Sequence, residues 1–246
     1  MIKGNRNHRI PNKPHKKPRM SGGLRADHPA VLEGRTLFPT TVVHPFDSPR
    51  LLVSGMNQRK IGKIVRKGRW KGMPIFCLTL EERATCPTTC NEWRTCYGSN
   101  MHRARRHAHG IDLETKLINE IVTAGHKYPK GFVMRLHILG DFYSQAYVDL
   151  WSMLLEEVPQ LRIFGYTAHD YYSEMGKSID RLNMAHLDRV RIRFSNADLG
   201  SVGSMVINDK SESTGVICPV QTDETDCCAT CGLCWTMDKT VEFLRH

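Results

Sequence analysis

Eight of the nine cysteines fall into two tight groups, and grouped thiols in a reducing compartment are metal ligands or redox groups more often than disulfides. The first group is Cys86, Cys90 and Cys96, spaced C-x3-C-x5-C. Three thiolates on one loop can hold three irons of a [4Fe–4S] cluster and leave the fourth iron open. An open iron implies catalysis, whereas a closed four-cysteine site implies structure or electron transfer. A structural zinc site is the alternative. The second group is Cys218, Cys227, Cys228, Cys231 and Cys234. Its run C-x2-C-x2-C from Cys228 has ferredoxin-like spacing, which Cys218 or Cys227 would close. Zinc ribbons use C-x2-C pairs as well, and Cys218 could instead complete the first group. Cys77, in the apolar run Ile75-Phe76-Cys77-Leu78, reads as a core thiol. Around the first group lie Arg83, Arg94, Arg103, Arg105 and Arg106, with His102, His107 and His109. These would offset a cluster's negative charge or bind phosphate, or form an exposed basic helix start.

The elements that must position these groups follow from periodicity. A hairpin is predicted with strands at 61–65 and 73–80 and a turn through Lys67-Gly68-Arg69. Helical spacing of Leu113, Leu117, Ile118, Ile121 and Val122 predicts a helix from about Arg103 to Ala124, stopped by Gly125. A buried strand follows at 132–138. Ser144 caps a helix to about Val158, and 161–166 is the next strand. Ser173 opens a helix through Ile179, Leu182 and Met184, and 190–194 is another strand. Short strands are predicted at 204–207 and 215–218, and a short helix at 236–244. Strands alternating with helices argue for parallel βαβ units. The expected architecture is an α/β fold, a partial, open parallel βα barrel of about six strands with a Cys-rich C-terminal metal-binding extension. A doubly wound sheet is the alternative.

Most of these strands end in polar residues: His137, Gly140 and Asp141; Tyr166 and His169; Arg193, Ser195 and Asp198; Cys218. In parallel α/β folds such ends share one face, where active sites form. Helix capping explains Asp, Ser and Asn, but does not ask for His137, Tyr166, His169, Arg193 or cysteines.

Charge divides the chain. Residues 1–110 carry 22 Lys and Arg against 6 Asp and Glu, and residues 111–246 carry 13 against 19. A net of +16 on the first part points to an anionic partner, with nucleic acid or a nucleotide the first candidate, or to a solvated basic tail. Three regions are expected: a basic, disordered arm over 1–48, an α/β core over 49–215, and a Cys-rich segment over 216–246. No apolar run reaches the ~20 residues of a membrane helix, and no secretory signal is expected, so a cytoplasmic location follows.

The layout resembles that of the radical S-adenosylmethionine (SAM) enzymes, which carry a three-cysteine loop after the first strand of a partial α/β barrel. Their usual loop is C-x3-C-x2-C, and their Gly-Gly-Glu-like motif stands here as Gly140-Asp141. The resemblance implies that Asp141 holds the methionyl amine and that Ser195 and Asp198 reach the ribose. Tyr166, His169 and Arg193 would then line the substrate pocket. A cluster at the C-terminal cysteines would be auxiliary, and a flavodoxin- or ferredoxin-type donor would supply electrons. The stretch from about Lys60 to Trp235 also resembles the phage family called "gene product 88". The matching pieces are Thr85-Cys86-Pro87 to Cys90, Cys96-Tyr97-Gly98, His137 to Phe142, Gly165-Tyr166-Thr167, Arg193-Phe194-Ser195, Cys218-Pro219 and Cys231 to Cys234. That likeness implies a phage origin and a bacterial host cytoplasm, and no activity. The expected function is an iron–sulfur enzyme of radical SAM type acting on a nucleic acid or nucleotide. The alternatives are a binding module with closed zinc or iron–sulfur sites, and a nuclease using Asp141, His137 and His169 with a metal ion.

Overall fold

The computed structural model describes residues 23–245. The first 22 residues of the expected basic arm lie outside them. From residue 23 on, the rest of that arm is folded against the core. It contains α1 (Pro29–Leu32) and β1 (Val42–Val43), and β1 pairs in parallel with β4 (Arg106–His107).

The central sheet has eight strands: β2 (Val53–Ser54), β3 (Ile75–Cys77), β5 (Phe132–Leu136), β6 (Leu161–Thr167), β7 (Val190–Ser195), β8 (Gly203–Ile207), β9 (Val216–Ile217) and β10 (Val241–Leu244). Their order is β2-β3-β5-β6-β7-β8-β10-β9, and every neighbouring pair is parallel except β2–β3. From β3 to β8, spatial order follows chain order. Three long helices, α2 (Ile111–Lys127), α3 (Gln145–Glu157) and α4 (Glu174–Ala185), connect these strands. The fold is therefore α/β with a mostly parallel central sheet.

Alternation along the strands sorts the two faces. Phe132, Met134, Leu136, Leu161, Ile163, Val190, Ile192 and Phe194 join Leu113, Leu117, Ile121, Tyr147, Trp151, Leu154 and Ile179 in one apolar cluster. All three long helices thus cover one face. Each such large side chain contributes about 1.5–3 kcal/mol on burial. Ser144 caps α3 by accepting from the Tyr147 N–H at 3.1 Å, and Ser173 caps α4 through the Gly176 N–H at 3.0 Å, as the sequence predicts.

The opposite face is covered by residues 61–73 and by the C-terminal segment around Trp235. Trp70 and Trp235 stack there at 5.4 Å, and Trp235 meets Phe164 of β6 at 4.7 Å. The Cys-rich segment is therefore built into the sheet layer. It carries α5 (Cys228–Cys231) and α6 (Leu233–Thr236), and β10 lies between β8 and β9.

Three local expectations are corrected. The 236–244 helix is instead strand β10, because Val241 and Phe243 satisfy the open edge of β8. The helix predicted from Arg103 starts at Ile111, since β4 and Gly110, at φ +121°, occupy the preceding chain. It runs through Gly125 to Lys127, because that glycine sits where a Cβ would strike Val158. The 61–65 and 73–80 hairpin keeps its turn through Val65 N–H to Met73 O at 3.0 Å. Its ladder reduces to the Ile64–Pro74 bridge, and β3 pairs with β2 and β5 instead.

Candidate metal and cofactor site

Cys86, Cys90 and Cys96 lie on a loop of successive turns after β3, closed by N–H to carbonyl bonds from Cys90 to Pro87 (3.0 Å) and from Trp93 to Cys90 (2.9 Å). Two buried arginines brace it. Arg83, at φ +66°, donates to Trp93 O, Arg35 O and Ser99 Oγ. Arg106 forms a buried two-pronged ion pair with Glu82 (2.5 and 3.0 Å) and donates to Gly98 O, Met101 O, Ala104 O and Thr41 Oγ1. Removing one partner of such a buried pair costs about 3–5 kcal/mol. These two arginines are thus internal braces, and neither offers a free guanidinium to phosphate. Arg94 donates to Leu24 O, and Arg105 to Ser48 Oγ.

The Gly140–Asp141 turn packs against this loop. Gly140 has φ +82°, and a Cβ there would collide with Thr85 and Leu80. The Asp141 N–H donates to Thr85 Oγ1 at 3.2 Å, directly before Cys86. Burial pushes the Cys86 thiol upward, and the Asp141 charge adds to the shift. Burial pushes Cys96 to about 11 and raises Cys90 as well, and Cys90 acts electrostatically on both Cys86 and Cys96. The three thiols and the Gly140–Asp141 turn therefore form one neighbourhood. Both Asp141 oxygens are in use: Oδ1 accepts from the Phe142 N–H (2.8 Å) and Oδ2 from the Ala168 N–H (2.6 Å).

The second cysteine group surrounds a cavity lined by Cys218, Cys228, Cys231 and Cys234, with Gly232, Trp235 and Val241 among its walls. Cys227 is outside it. It is fully buried in the apolar cluster of Trp70, Trp235 and Ile61, with its sulfur 3.6 Å from Thr230 Oγ1. The Tyr166 hydroxyl donates to Cys234 Sγ at 2.8 Å. Burial raises Tyr166, and the neighbouring Cys234 adds to that. Burial raises Cys228 strongly, with Cys234 and Cys218 contributing; it raises Cys218 to about 11, with Cys234 contributing.

The remaining expected site residues have structural posts. His137 lies in the helix layer, its Nε2 3.1 Å from the Tyr147 hydroxyl, so it faces neither cysteine group. Burial lowers it to about 3. His169 donates through Nε2 to Phe142 O at 2.7 Å. Arg193, fully buried, donates to five carbonyls, those of Cys234, Gly200, Gly203, Lys239 and Met237, and so clamps the C-terminal segment rather than lining an open pocket. Asp198 accepts from Thr240 Oγ1, and Ser195 pairs with Ser204 across β7 and β8.

One residue that the sequence reading passed over is Arg135. It sits at an inward position of β5, half-buried, with its guanidinium 4.9 Å from the Tyr166 ring and 5.6 Å from Phe164. Burial raises Tyr97 on the first loop and Tyr166 and Cys228 at the second group, and the Arg135 charge opposes the rise at all three. The available signal was a lone cation in the otherwise apolar strand Phe132–Leu136.

All nine cysteines are free thiols. Among the described residues, no three His, Cys, Asp or Glu side chains converge to hold a single metal ion. The donor chemistry of both groups is thiol throughout, which suits soft metals and iron–sulfur clusters. No described helix is long and apolar enough to cross a membrane. The chain matches no family model, no curated protein and no solved structure.

Proposed function

We propose that the protein is an iron–sulfur protein of radical SAM type acting on a nucleic acid or nucleotide. Cys86, Cys90 and Cys96 would hold a [4Fe–4S] cluster, and the C-terminal cysteines a second centre. The observation that carries this reading is the packing of the Gly140–Asp141 turn against Thr85, the residue directly before Cys86 on the three-cysteine loop. The chain-order parallel strands with helices on one face support an open barrel frame. When bound, the cluster would supply the electron that cleaves SAM to a 5′-deoxyadenosyl radical. The chain's part is placement: Gly140 lets the turn close against Thr85 and Leu80, and Glu82, Arg83 and Arg106 brace the loop. The basic first part of the sequence supports the polyanionic substrate class. A bacterial host cytoplasm suits oxygen-sensitive clusters.

The test is anaerobic reconstitution of the full chain, with iron counting and electron paramagnetic resonance before and after adding SAM. The expected result is more than about four irons per chain and SAM turnover with dithionite. Full iron loading without SAM cleavage would remove the enzymatic reading.

A second reading has its own support. Each Asp141 oxygen accepts from a backbone N–H, Arg193 donates to five carbonyls, and His137 lies in the helix layer, as suits a non-catalytic nucleic-acid-binding module. Its sites would be closed zinc or iron–sulfur centres. A colourless anaerobic preparation containing zinc would favour it.

A further inference from the structure

We infer that Cys218, Cys228, Cys231 and Cys234 form one closed iron–sulfur site, that Cys227 is not a ligand, and that Tyr166 donates its hydroxyl hydrogen bond to the Cys234 sulfur there. This rests on the chain being an iron–sulfur protein, but on neither the first cysteine loop nor SAM.

Sequence spacing leaves Cys218 and Cys227 as equal candidates for the fourth ligand. The structure separates them. Cys218 lies at the end of β9 and lines the cavity with the other three, and its neighbours Val220, Cys231 and Val241 form one small cluster. Cys227 is turned into the tryptophan-lined core and touches Thr230. Bringing its sulfur to the cavity would mean unpacking that core. Gly232, left-handed at φ +75°, ends α5 and starts α6, so that Cys231 and Cys234 curve around the same space.

Four thiols on one cavity suit a cluster or a zinc ion, and the two differ in the sulfur spacing they impose. Tetrahedral zinc, at ~2.3 Å from each sulfur, draws all four sulfurs to about 3.8 Å of one another. Here the four thiols line one cavity. A four-iron cluster gives each thiolate its own iron, and the iron–sulfur reading of the chain selects it here. Four thiolates around such a cluster carry net negative charge. Arg135, half-buried against Tyr166, supplies the compensating cation, and the Tyr166 hydroxyl supplies the sulfur-directed donor.

The experiment uses the full chain carrying C86S/C90S/C96S, reconstituted anaerobically with iron and sulfide. It is expected to keep about four irons per chain and to show an iron–iron shell by X-ray absorption. Added to that background, Cys227→Ser should keep the iron, whereas Cys218→Ser and Cys231→Ser should each lose at least three-quarters of it. Tyr166→Phe should keep the iron and move the reduction potential lower, since a donor to sulfur stabilises the more negative reduced state. Circular dichroism identifies any cysteine variant that fails to fold. In that case Cys227→Ser and Tyr166→Phe decide. Iron lost with Cys227→Ser but kept with Cys218→Ser would overturn the ligand set. A zinc-only product with a sulfur-only shell would overturn the cluster, and an unmoved potential in Tyr166→Phe would overturn its role. Absence of SAM cleavage leaves each of these readouts in place.

Discussion

His137 ends up in the helix layer because its ring fits between Phe142, at 5.2 Å, and Tyr147, at 5.8 Å. Burial first, and the charge of Arg135 second, hold it neutral down to about pH 3, against an ordinary value of 6.5. Above pH 6.5 it is neutral in folded and unfolded chains alike and contributes no pH dependence. Between 6.5 and about 3 the unfolded chain binds the proton and the folded one does not. Stability therefore falls with falling pH, by up to about 1.4 kcal/mol per unit from this group. His137→Phe should flatten that acid limb by most of this amount, at the cost of about 1 kcal/mol near pH 7 for the lost Tyr147 hydrogen bond. Urea titrations at pH 7 and 5 check it, and an unchanged acid slope would count against the buried neutral imidazole. Asp141 makes a related point. A carboxylate at a strand end reads as a ligand in sequence, yet its two oxygens hold the backbone of two neighbouring loops together.

At the scale of elements, the C-terminal segment depends on β7. Arg193 points from that strand to the face opposite the helices and binds three carbonyls of residues 234–239. These bonds bring α6 and the start of β10 onto the sheet and fix the cavity ringed by cysteines. Lysine cannot reproduce five donors in a planar fork. Arg193→Lys should therefore cost about 2–4 kcal/mol. Hydrogen exchange should show the loss as faster opening of residues 228–244, with β5 and β6 little changed. Uniform acceleration over the whole sheet would show that the segment is no separable unit. The first cysteine loop is held differently, by Glu82 and Arg106 from inside and by residues 24–41 packed along it.

For the whole molecule, net charge is the property that predicts binding. The +16 of residues 1–110 should make binding of single-stranded nucleic acid by the full chain fall at least tenfold between 50 and 200 mM salt, measured by fluorescence anisotropy. Salt-independent binding, or none at low salt, would dismiss the polyanion as partner. The alternating βα pattern, the caps at Ser144 and Ser173 and the strands β5, β6 and β7 were all legible in the sequence. Local periodicity and capping chemistry record them directly. The grouping of the thiols is a fact of the sequence itself, because spacing within one loop is a local property. Other features were not legible: the strand at Val241–Leu244, the braces at Glu82 and Arg106, the inward Arg135, and the cavity that Cys218 lines and Cys227 does not. Each depends on which distant segment closes a sheet edge, pairs a buried charge or fills a cavity. Such contacts between remote positions leave no periodicity in the chain, so only the packed tertiary structure decides them.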